Sequence, residues 1–206
     1  MSENQVSRRE LLRHIGISAA LAAPGAGLVS AQVAQHVHEA VAQEKSAAPK
    51  GDYQPKCFTA HEFKTLQRLS DLIIPADDHS PGALEANAAE WIDYMAGNST
   101  ELAEIFTGGF GWLDHQMQQQ HAEDFIDAKP EQQTAVLDVI AFKKNETPEN
   151  APGIRFFSWA RNVVTDAYYT SSIGIKDLGY IGNTAVSEFH VPEEALQYAL
   201  KRSPFA

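Results

Sequence analysis

Asp77-Asp78-His79 stands between Pro75 and Pro81 and puts two carboxylates and an imidazole on consecutive residues. Such a set can hold a divalent metal and activate water. The spacing is wrong for a calcium loop, which needs alternating ligands, a glycine and a closing glutamate. A solvated turn, with Asp78 or Ser80 helping to cap a helix, is the preferred reading. A metal-dependent enzyme using Asp77, Asp78 and His79 stands as an alternative. The other candidates are thinner. His61-Glu62 has no second His to complete HExxH. His36 and His38 lie in a polar stretch, and His115 and His121, six apart, share no helix face. Gly108-Gly109-Phe110-Gly111 sits inside a helical pattern, not in the strand-to-helix turn of a phosphate cradle. The serines form no nucleophile elbow, and no CxxCH haem attachment occurs. Cys57 is the single cysteine. It excludes an internal disulfide and leaves two readings, a buried inert thiol or a bond to another chain.

The elements around these residues read as helices. Thr59 and Glu62 form a capping box, with Phe58 and Phe63 placed for a hydrophobic staple. Phe63, Leu66, Leu69, Leu72 and Ile73 then make a helical stripe, which Pro75 stops. A turn-rich loop leads to a second helix from about Leu84 to Met95, burying Trp91 and Ile92 and ended by Gly97-Asn98. A third starts near Ser99 and runs past Met117; its glycines predict a bend or a close neighbour. A fourth opens on Pro130, a favoured first helical residue.

The fifth helix, from about Ile154 to Thr170, is the most apolar. Phe156, Ala160, Val163 and Ala167 line one stripe, Phe157, Val164 and Tyr168 a second, and Trp159 widens the arc to roughly half the circumference. This predicts a central helix, or else one covered by another chain. Ser171 to Tyr180 reads as irregular and glycine-bearing, and Pro192 to Lys201 as a short last helix headed by Glu193 and Glu194. No stretch alternates like a strand. The fold class is all-α, a small irregular bundle of about five to six helices.

Ahead of that bundle, Ser7-Arg8-Arg9-Glu10-Leu11-Leu12-Arg13 precedes a short, weakly apolar run from residue 15 to 31. Basic, apolar, then small residues is the order of a removable export signal, and the run is too weak for a membrane span. Paired arginines before leucines resemble the twin-arginine export motif, whose translocase carries folded cargo. Val29-Ser30-Ala31 suits signal peptidase, so cleavage is expected after Ala31, with Ala34 as a fallback. Residues 1–31 are then a twin-arginine signal peptide, 32–56 a polar linker, helical in part around His36 to Ala42, and 57–206 the helical domain.

The 206 residues carry a net charge of −11. Removing 1–31 takes away three arginines and two glutamates, leaving 13 basic and 25 acidic residues, net −12. An acidic chain of this kind excludes nucleic acid as a partner and disfavours charge-driven docking to anionic lipid.

Two further stretches are informative. Leu69-x-Asp71-x-Ile73-Ile74-Pro75-x-Asp77 is followed by Pro81-Gly82-Ala83, and Ala167-Tyr168-Tyr169-x-Ser171 by Asp177-Leu178-Gly179-Tyr180-x-Gly182. With the leader, they resemble the gluconate 2-dehydrogenase subunit 3 family over about Phe58 to Phe189. The resemblance implies a non-catalytic small subunit of a periplasm-facing, membrane-associated sugar or sugar-acid dehydrogenase. It implies a large flavoprotein subunit that binds FAD, a multihaem cytochrome c subunit that passes electrons onward, and a small subunit that aids maturation and supplies the export signal for both. No catalytic, cofactor-binding or metal residue carries over to this chain. Tyr168, Tyr169, Tyr180 and Cys57 are the partner-interface candidates, since tyrosine suits a surface that buries a ring and keeps a polar tip. A stand-alone periplasmic helical binding module is the other alternative.

Overall fold

The computed structural model describes residues 30–48, 53–180 and 191–203. Its helices are α1 (Ala31–Ala47), α2 (Ala60–Ile73), α3 (Ala88–Ala96), α4 (Thr100–His121), α5 (Pro130–Ile140), α6 (Ala151–Tyr169), α7 (Ser172–Asp177) and α8 (Glu193–Leu200), with a 3-10 turn at Lys143–Asn145. No strand occurs among the described residues. The fold is all-α.

Local signals set most helix starts. Thr59 accepts from the Glu62 N–H at 3.3 Å while the Glu62 carboxylate accepts from the Thr59 N–H at 2.9 Å, so α2 opens on a capping box. Phe58 and Phe63 are both buried, but their ring partners lie elsewhere: Phe106 and Phe110 for Phe58, Tyr53 for Phe63. Ser99 caps α4, and Pro130 opens α5. α6 is the central helix. It packs on α2, α3, α4, α5 and α7, and Phe156 meets Phe106 and Phe110 edge-on. Of the glycines in α4, Gly109 faces Phe156 while Gly108 and Gly111 face open space, and the helix continues through all three.

Three expectations are corrected. The stretch 32–56, expected as a polar linker with a helical part around His36 to Ala42, has that helix extended to Ala31–Ala47 as α1, and it lies against α3. Ala34, Val37 and Val41 are fully buried at helical spacing. Small side chains make this a narrow stripe, which a polar, Ala-rich composition conceals. The chain after it is anchored too. Asp93, fully buried on α3, accepts from the Tyr53 hydroxyl (2.9 Å) and from the N–H groups of Lys56 (2.8 Å), Cys57 (3.1 Å) and Phe58 (3.0 Å). The α3 helix starts at Ala88, not Leu84, because Asn87 takes a left-handed conformation (φ 57°) that closes the preceding turns. The region from Ser171 contains α7, capped by the Ser171 hydroxyl.

Candidate functional site

The two sequence signatures lie far apart in the chain and touch in the fold. The first is the loop from Pro75 to Ala83 that follows α2. It closes through the Ala83 N–H, which donates to the Ile74 carbonyl at 2.8 Å. A side chain at Gly82 would meet the Ala76 nitrogen at 2.5 Å, so the loop can fold back on itself only with glycine there. Inside the loop the Asp77 carboxylate accepts from the N–H groups of His79 and Ser80, both at 2.8 Å. These bonds, Ser80 first, hold its pKa below the ordinary aspartate value.

The second signature is the corner between α6 and α7. Tyr168 is 2% exposed. Its hydroxyl donates to the Pro81 carbonyl at 2.8 Å and shares a hydrogen bond with Ser80 Oγ, also 2.8 Å. Ser171 Oγ donates to the Tyr168 carbonyl at 2.6 Å and accepts from the Gly174 N–H at 3.1 Å. A Cβ at Gly174 would stand 2.2 Å from that same carbonyl, which is why α7 can turn so tightly off α6. His79 Nε2 lies 3.5 Å from Asp177 Oδ1 and links the loop to α7. Behind the corner, His38 on α1 reaches Thr170 Oγ1 at 3.0 Å, and burial pushes its pKa down against the smaller opposing effect of a hydrogen bond to the Ala167 backbone carbonyl.

Tyr168 is therefore a core residue of this chain that pins one signature to the other. Tyr169 stacks edge-on against it (centroids 4.9 Å apart) and is 37% exposed, and Tyr180 is 58% exposed. Between them α7 exposes Ile175 and then Leu178, the latter by 62%. Leu178 stands in the second signature and Ile175 in neither, and the glycine-bearing pattern of the segment gives no sign of the helix that exposes them. Cys57 sits elsewhere, under α3. Its thiol is pushed up to about 11, by burial first and then by Asp93 and Glu62, which keeps it protonated and a poor nucleophile at neutral pH. Arg8 and Arg9 lie outside the described residues. Ala31 opens α1.

As chemistry, the corner offers little. Asp77 is turned onto its own backbone, and no group of three or more His, Cys, Asp or Glu converges among the described residues. No strand occurs among the described residues to carry the glycine-rich cradle of a doubly wound dinucleotide site. What the corner does offer is a rigid, partly aromatic apolar surface.

Residues 60–187 match the family model described as gluconate 2-dehydrogenase subunit 3. The chain belongs to the gluconate 2-dehydrogenase subunit 3 family. Both signatures fall inside the match, while α1 and α8 lie outside it. No curated protein and no solved structure matches the chain. Membership in a subunit 3 family implies a component of a multi-subunit dehydrogenase complex.

Proposed function

We propose that this chain is the non-catalytic small subunit of a periplasmic, membrane-associated FAD-dependent sugar or sugar-acid dehydrogenase, and that it supports maturation and twin-arginine export of the flavoprotein. The observation that carries the reading is the family match across residues 60–187 behind a leader with the Ser7–Arg13 pattern. FAD belongs to the large subunit in this reading, and haem c to a cytochrome subunit. No described helix is long and apolar enough to cross a membrane.

Tyr169, Ile175, Leu178 and Tyr180 form the contact with the flavoprotein. A fixed apolar corner suits this role, since residues held in place by their own fold lose little freedom on binding. The protonated Cys57 thiol favours a packing role over a disulfide to the partner. Burial of Ala34 favours signal cleavage after Ala31.

Co-expression tests the contact. Tyr180→Ala with Leu178→Asp is expected to abolish co-purification of the flavoprotein while leaving the melting temperature of this chain within about 2 °C, because exposed substitutions change stability little. Normal co-purification of the double variant would remove the corner from the interface.

A further inference from the structure

The chain is acidic overall, yet one groove on it is cationic. It lies between the end of α5, the 3-10 turn and the first half of α6, and encloses ≈ 330 Å³. Ile140, Ile154 and Phe157 form its apolar floor, with Lys143, Arg155 and Arg161 around them. Glu146 is the carboxylate in the lining. None of Lys143, Arg155 and Arg161 holds a carboxylate partner among the described residues. Unpaired cations around an apolar floor select an occupant with carboxylates beside an apolar stripe.

Helix α8 has that pattern. Glu193 and Glu194 head it, and Ala195, Leu196, Ala199 and Leu200 cover an arc of about 140°. All its residues are exposed, Leu196 by 42% and Leu200 by 45%. Eight residues are too few for a stable helix in water without packing. In the single chain none of them lines the groove, so both complementary surfaces are bare.

We propose that the groove receives α8 of a second copy of this chain, and that the exchange is reciprocal. Glu193 and Glu194 meet Arg155 and Arg161, and Leu196 and Leu200 cover Ile154 and Phe157. A two-fold exchange fills both grooves and covers both helices with one repeated contact, so association stops at two. The groove is separate from the α7 corner, and the inference does not rest on the proposed function.

Sedimentation of the purified full chain over a range of concentration and salt is the test. The wild type is expected to form a dimer that weakens as salt screens the charges. Arg155→Glu with Arg161→Glu in one variant, or Glu193→Arg with Glu194→Arg in another, is expected to weaken that dimer at least about tenfold. Mixing the two variants restores pairing, because each groove then meets a helix of opposite charge; this rescue also shows that neither variant is misfolded. A wild type that stays monomeric, variants that pair as the wild type does, or a mixture that stays monomeric would each overturn the proposal. The first outcome would return α8 to its own chain or to a different protein.

Discussion

Asp93 is a lone acid in the apolar stretch Trp91-Ile92-Asp93-Tyr94-Met95, and its four hydrogen bonds hold residues 53–58 onto α3. Removing it leaves three backbone N–H groups without their acceptor in a largely buried site. Asp93→Ala is therefore expected to cost about 3 kcal/mol of unfolding free energy, readable in urea melts. A loss below about 1 kcal/mol would mean that water replaces the carboxylate. Tyr168→Phe removes only the bonds to Pro81 and Ser80 and should cost about 1–2 kcal/mol. The two histidines with shifted pKa values act in opposite senses. Burial lowers His38, so its contribution is whole above the unfolded value of 6.5 and is lost as pH falls below it. The hydrogen bond to Asp114, the largest effect, raises His61, whose contribution is whole below 6.5 and lost as pH rises through its folded value. His38→Gln should flatten the loss of stability on acidification from pH 7 to 5, and His61→Gln should steepen it. Melts across that range that respond identically in both variants would contradict this assignment.

At the scale of elements, the helices with local punctuation were legible. Thr59 with Glu62, Pro75, Ser99 and Pro130 each act within a few residues of themselves, and the structure puts the corresponding boundaries of α2, α4 and α5 there. Helix α1 was legible only in part, around His36 to Ala42, because its buried face is Ala34, Val37 and Val41, too small a stripe to stand out against glutamine, histidine and alanine. Helix α7 was hidden because glycine usually argues against a helix, whereas Gly174 is there to let the chain pass the Tyr168 carbonyl. Tyr168 itself could not be placed from its neighbours, since its hydroxyl partner lies 87 residues away at Pro81. The packed state of α1 has two consequences. Val37→Ala is expected to destabilise the chain by about 2 kcal/mol, where a tether would be indifferent to it. Ala34 is buried, and its carbonyl accepts from the Trp91 indole at 3.4 Å, which shields that bond from a peptidase. Intact-mass analysis of exported protein should give Gln32 as the first residue, not Gln35.

At the scale of the whole molecule, a bundle with a central helix and an exposed apolar corner, behind a Ser7–Arg13 stretch that resembles the twin-arginine motif, fits a chain that accompanies another protein. Within the corner, Tyr168 and Ser171 hold the loop and α7 against the end of α6, while Tyr169, Leu178 and Tyr180 remain exposed. In the proposed function the leader determines where the partner goes, and the bundle holds it. The direct measurement is the location of the flavoprotein subunit in cells carrying Arg8→Lys with Arg9→Lys. If this chain carries its partner through the twin-arginine route, the flavoprotein stays in the cytoplasm and periplasmic dehydrogenase activity falls to background. Normal export of an active flavoprotein beside a retained small subunit would contradict the account.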